Sequence, residues 1–249
     1  MKAWLLVALV CISTLFGSPR LDSQQASSPI VLVASVEAVI PLAAFSGKVT
    51  PVHSDPRFAL TLRIQSTVPV VKELPLAGTV TFGVHSPSLL FTADPKVGQS
   101  YIFSTRQVIK NGRSTFTGLR TLLPSEIDHR VSALIERMLK ADTEDRAFSE
   151  LEALGCAAVP ATIRRMDDRR SLPDQRISLV NRSPKAFEGI RHYGPAQVVD
   201  ALAAILNQVT GQHFGFIYNG ATEEERTKTI QGWRKFLDST PAPDLCKAG

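Results

Sequence analysis

The segment "FEGIRHYGP" (187–195) gathers Glu188, Arg191, His192 and Tyr193, side chain types that can move protons or hold charge. Read as a short helix over 185–193 that is broken by Gly194-Pro195, it places Glu188 and Arg191 three residues apart, where they can pair. His192 then sits near a helix C-terminus, where its protonated form is favoured. A structural hinge is the ordinary reading of such a cluster, and a recognition site is the functional one. A second stretch, "TGQHFGFIYNG" (210–220), adds Phe214 and Tyr218 to this possible ligand or partner surface. Its glycines fit neither G-x-x-x-x-G-K-[ST] nor a strand-to-helix dinucleotide fingerprint, so it is not a phosphate cradle. Gly211 falls where a preceding helix needs a left-handed terminator. Thr222 and Glu225 form a capping box for the next helix, and the acids at 223–225 suit its positive N-terminal end. The alternating Phe214, Phe216 and Tyr218 are placed to plug one end of a helical core or, as the rival, to touch a ligand from a loop.

Other reactive chemistry finds no pattern. The histidines, His53, His85, His129, His192 and His213, show no i, i+2 or i, i+4 spacing, and no C-x-x-C occurs. His85 and Ser86 are neighbours on a strand and point to opposite faces, so they cannot act as base and nucleophile. No G-x-S-x-G elbow is present. No catalytic, cofactor or metal residue is assigned, and no cofactor is expected. "NRS" (181–183) matches a glycosylation acceptor but is followed by Pro184.

The N-terminus reads as a secretory signal: Lys2, the apolar run "AWLLVALVCISTLFG" (3–17), then the polar "SPRLDSQQASS". The run is short for a bilayer span. Val10 before Cys11 is too large for a lipoprotein signal. The second apolar stretch, 30–45, contains Glu37 and Pro41 and reads as a buried strand. The mature protein is therefore expected to be secreted or periplasmic, without stable membrane insertion. Loss of the signal removes Cys11 and leaves Cys156 and Cys246, an even pair that export allows to bridge. The alternative leaves Cys156 as a small buried residue in a helix corner and Cys246 near a frayed end. Net charge is +5, but the densest basic group, "RRMDDRR" (164–170), is interleaved with aspartates, and aromatics are 7% of the chain. That is no nucleic-acid footprint.

The elements that must position these residues change period midway. Residues 28–123 carry β signals: the alternation of Phe58, Leu60, Leu62 and Ile64, strands near 78–86 and 100–109, and the hairpin dipeptide Asn111-Gly112. "GTVTFGVHSPSLLFTADPKVGQSYIF" (78–103), with Gly98, Tyr101 and Phe103, resembles the netrin-like, OB-type barrels of the tissue-inhibitor-of-metalloproteinase kind. Members of that family reach a metal through a cysteine at the mature N-terminus. None stands there in this chain, so inhibition by that route is not expected.

Residues 125–238 turn helical. A helix opening on Ser125 as N-cap, with Asp128 three residues on, stripes Ile127, Val131, Leu134, Ile135 and Met138. Another stripes Ala147, Phe148, Leu151 and Leu154 and closes on Gly155. "AFSELEALGCAAVPATIRRM" resembles a HEAT-type helical hairpin, whose corner is matched here by Leu154, Gly155, Ala158, Val159 and Pro160. A long polar connection (169–183) ends in the helix start Ser183-Pro184. Then come a helix over 195–209 and a last helix burying Ile230, Trp233, Phe236 and Leu237.

The expected fold class is α+β. A signal and short tail (1–27) precede a small antiparallel β-barrel (28–123), a HEAT-like helical domain (125–238) and a flexible tail (239–249). The expected function is non-enzymatic binding of another protein or envelope component, without nucleic acid. The alternative is an exported hydrolase or small-ligand binder with its site at the junction of the two domains. N-terminal sequencing of the exported protein should find a start between residues 18 and 28; recovery of Met1 would refute cleavage.

Overall fold

The computed structural model describes residues 29–68, 71–91, 94–110, 113–180, 188–241 and 244–246. The signal segment, Asn111-Gly112 and Ser183-Pro184 lie outside them.

The run that begins "PIVLVASV" is apolar without interruption because both faces of its strand are covered. In β1 (Pro29–Pro41), Ile30, Leu32, Ala34 and Val36 point into one core while Val31 and Val33 point into another. Beyond β2 (Thr50–Pro51) come β3 (Phe58–Val68), β4 (Thr79–Val84), β5 (Ser100–Lys110) and β6 (Arg113–Thr121). The sheet order is β2-β4-β3-β1-β5-β6, antiparallel except for β2 against β4. Register shifts at Val33/Ala34 and Val36/Ala38 bend β1, and β2 comes near β6, leaving the sheet nearly closed as a barrel. Its interior is filled by Leu60, Leu62, Ile64, Phe82, Phe103, Phe116 and Leu119, with the Phe82 and Phe116 rings edge-on at 6.3 Å. Past Ser35 the outer face of β1 turns polar, and Glu37 pairs with Arg63 at 2.9 Å.

Helices follow: α1 (Pro124–Met138), α2 (Glu144–Ala153) and α3 (Val159–Arg164). The first begins earlier than Ser125. Pro124 occupies the first helical position, and the Glu126 carboxylate accepts the Leu123 N–H at 2.9 Å. Arg120 clasps that carboxylate at 2.7 and 2.8 Å. The Arg120 bonds and then the Leu123 N–H lower the Glu126 pKa to about 2. Asp128, expected near the cap, pairs instead with Arg164. Gly155, at φ +58°, turns the chain after α2 as expected. That corner rests on the sheet: a Cβ on Gly155 would lie 4.0 Å from Val33, and the Ser66 hydroxyl donates to the Ala153 carbonyl.

Within the expected polar connection and short helix (185–193), the described residues form a hairpin instead, β7 (Ile177–Val180) paired antiparallel with β8 (Ile190–Tyr193); residues 181–187 lie outside the described residues. The physical reason is burial. Ile177, Leu179 and Tyr193 join the helical core, a tertiary gain that outweighs local helix preference.

The centre of that core is α4 (Val198–Thr210), buried at every position from Val198 to Asn207, as a helix apolar on nearly all sides must be. Gly211, at φ +70°, ends it. In α5 (Glu223–Ser239) the Thr222 side chain accepts the Glu225 N–H and Glu225 answers at the Thr222 N–H, the capping box read from the sequence. The polar Asp200 of α4 is fully buried and holds Arg226 of α5 through two bonds, 2.8 and 2.9 Å. The same carboxylate accepts the N–H groups of Ala196 and Gln197 at 3.1 Å. "RRMDDRR" is an ion-pair hub: Arg164–Asp128, Arg234–Asp167, Arg170–Glu136 and Arg169–Glu223 tie α1 and α5 to the end of α3. Residues 244–246, expected in a loose tail, are held: Leu245 is buried and Cys246 is joined to Cys156, their Cα atoms 5.9 Å apart. Among the described residues no helix is long and apolar enough to cross a membrane.

Trp233 is 1% exposed and stacks edge-on against Phe214 at 4.7 Å. Trp233→Ala should cost about 3–5 kcal/mol through lost burial and a residual cavity, measured by chemical denaturation. A loss under about 1 kcal/mol, the level of ordinary surface changes, would contradict this placement.

Candidate functional site

The hairpin sorts the predicted cluster by strand alternation. The register pairs Ile177 with Tyr193, Ser178 with His192, and Leu179 with Arg191. Arg191 and Tyr193 therefore share the face that looks toward the helices, and His192 takes the other. His192 lies on the exposed face, its Nδ1 2.9 Å from the Ser178 hydroxyl. Glu188 is exposed and makes no ion pair with Arg191, because the helix that would have set them three apart is absent. No carboxylate among the described residues pairs with Arg191.

The α4–α5 connection divides the aromatics. Phe214 turns inward against Trp233 and Phe236, packed so closely on α5 that a Cβ on Gly232 would fall 2.6 Å from its own Cβ. Ile217 is buried beside it in the helical core. Phe216 goes the other way and is 77% exposed. Tyr218 bridges to the hairpin, its ring edge-on to Tyr193 at 5.1 Å and to Phe216 at 5.9 Å. His213 lies 6.0 Å beyond Phe216. The Asn219 side chain oxygen accepts the Gly194 N–H at 2.8 Å, locking the connection to the end of β8.

The structure thus brings Arg191, Tyr193 and Tyr218 together and adds Phe216, while Phe214, His192 and Glu188 stand apart. Residues 214, 216 and 218 alternate in sequence, yet Phe214 alone of the three packs against Trp233 and Phe236. Phe216, for which the sequence leaves core plug and ligand contact both open, takes the exposed position, and Asn219 is a site residue the sequence does not mark. A phenylalanine between Gly215 and Ile217 in an irregular connection carries no local sign of which way it points.

Tyr193 is 7% exposed, and its hydroxyl is buried without a hydrogen-bond partner. A buried polar group left unsatisfied is costly. Burial pushes the Tyr218 phenol above its ordinary range, Tyr193 adds to this, and the Arg191 cation opposes it. Chemically this is a donor-rich aromatic surface with one uncompensated positive charge. Among the described residues no carboxylate is paired with Arg191 and no cluster of three metal-capable side chains occurs. No family model, curated protein or solved structure matches this chain.

Removing the cation should move the phenol further from its ordinary value. In Arg191→Met, ultraviolet titration should show the Tyr218 phenolate forming at higher pH than in the wild type, because the charge that stabilises it is gone. An unchanged or lower midpoint would show that the guanidinium does not act on the ring.

Proposed function

We propose that the protein is exported by its N-terminal signal and works by binding another protein or envelope component, without catalysis. The observation that carries this is Phe216, a large aromatic held in solvent against Tyr218, whose phenol in turn feels Arg191, a cation with no carboxylate partner among the described residues. Aromatic and arginine side chains of this kind dominate binding energy where proteins meet.

The two halves support a scaffold role. Setting the two-residue β2 aside, the order β4-β3-β1-β5-β6 places the long first strand centrally and leaves parallel β4 and β6 to close the barrel. That arrangement supports the OB-type, netrin-like reading of a five-stranded, partly open barrel. The α2–Gly155–α3 corner supports a HEAT-like reading in one copy, laid against β1. We take these as two modules sharing one strand. Function by such likeness is analogy, so the weight rests on the surface residues. The rival, a hydrolase or small-ligand site between the halves, loses support because apolar side chains fill the junction. Val31, Val33 and Ile102 belong to the same core as Leu154 and Ala158.

Capture from the extracytoplasmic fraction of the source cells tests the reading. Wild-type bait should retain a reproducible partner that Phe216→Ser loses at least tenfold, at an unchanged melting temperature. Absence of any reproducible partner, or a partner indifferent to Phe216→Ser, would defeat it.

A further inference from the structure

Four observations meet at the edge of β8. Arg191 has a guanidinium with no carboxylate partner among the described residues, and it sits half-buried on the inner face of β8. Tyr218 is close enough to feel both that charge and the Tyr193 phenol. The Tyr193 hydroxyl is buried without a hydrogen-bond partner among the described residues, and its ring packs edge-on to Tyr218 at 5.1 Å. Phe216 stands exposed against Tyr218, the two rings edge-on at 5.9 Å. The two phenols and the guanidinium offer hydrogen-bond donors around one positive charge.

We infer that Arg191, Tyr193, Phe216 and Tyr218 form the seat for an acidic segment of a partner protein, with Arg191 taking a carboxylate and Phe216 packing an apolar side chain beside it. This rests on the binding reading above and names its chemistry. A guanidinium fork matches a carboxylate in two parallel bonds. The Tyr218 ring sits on a connection between helices, and a small shift of it brings the Tyr193 hydroxyl to the incoming carboxylate. The unused donor is then completed by the ligand. An anionic sugar is the weaker fit, since its many hydroxyls need acceptors and no carboxylate is bonded to this cluster. The chain's net charge of +5 also favours acidic partners.

The test selects phage-displayed random dodecapeptides on the mature full-length protein. The chosen peptides are then titrated by fluorescence anisotropy against wild type, Arg191→Met, Arg191→Lys, Phe216→Ser and Tyr193→Phe, with polygalacturonate as a separate arm. Selected peptides should be enriched in Asp and Glu next to apolar residues. Arg191→Met and Phe216→Ser should each weaken them at least tenfold without lowering the melting temperature, and Arg191→Lys should fall between. Tyr193→Phe supplies the readout that a structural tyrosine would not give: it should raise the melting temperature, because the orphaned hydroxyl is gone, and weaken peptide binding severalfold. Failure to select any peptide, peptides without acidic enrichment, or binding unaffected by Arg191→Met would overturn the inference. So would Arg191-dependent binding of polygalacturonate alone. If the captured partner is lost in Phe216→Ser but kept in Arg191→Met, the binding reading stands and this acidic seat falls.

Discussion

The double-sided burial of β1 governs the whole architecture. Successive residues of one strand belong to different cores: Ile30, Leu32 and Ala34 fill the barrel, while Val31 and Val33 carry the helices. A slip of one residue would exchange the two sets and present each core with side chains shaped for the other. This explains why the stretch is uninterrupted in its hydrophobicity and why that character stops where it does. Once the helical cover ends, Glu37 can face outward and meet Arg63. The α2–α3 corner exploits the same surface, since Gly155 keeps the backbone near Val33 and Ser66 satisfies the Ala153 carbonyl at the end of α2.

A second constraint fixes the helices against each other. Asp200 and Arg226 are both withdrawn from water, and the cost of that desolvation is offset by their mutual bonds, by the Ala196 and Gln197 N–H groups on Asp200 and by Glu223 on Arg226. Such a pair adds little net stability, but removing one member strands the other, so it fixes how α5 lies on α4. The hub around residues 164–170 repeats the device at the surface. These ties hold both ends of the 211–222 connection: Gly211 and the Thr222 box terminate the flanking helices, and Phe214 pins the middle to Trp233. With its neighbours fixed, Phe216 is left in solvent, next to a hairpin whose inner face delivers Arg191.

Much of this was legible because it is local. Helix stripes, the Gly155 and Gly211 stops, the Thr222 cap and the β1 run are each written within a few residues, and Trp233 shares its helical face with Ile230. What was not legible depends on distant partners. The strand Ile177–Val180 is four residues long, too short for its alternation to be distinctive, and its partner lies across residues 181–189. That error carried the site with it, since a helix groups Glu188, Arg191 and His192 while a strand separates His192 from Arg191. Asp200 looks like an ordinary early-helix acid until Arg226, 26 residues on, is seen against it. Likewise "RRMDDRR" reads as a basic group partly neutralised by its own aspartates, whereas Arg164, Asp167, Arg169 and Arg170 find their partners on α1 and α5.

Hydrogen–deuterium exchange on Val33→Ser tests the shared-strand account most directly. The substitution removes an apolar contact from the helical core while leaving the barrel-facing residues of β1 in place. If β1 couples the two cores, amides of the β1–β3 ladder and of α2 and α4 should lose protection together, as one cooperative unit. Loss of protection in the helices alone, with the barrel strands exchanging as in the wild type, would contradict it.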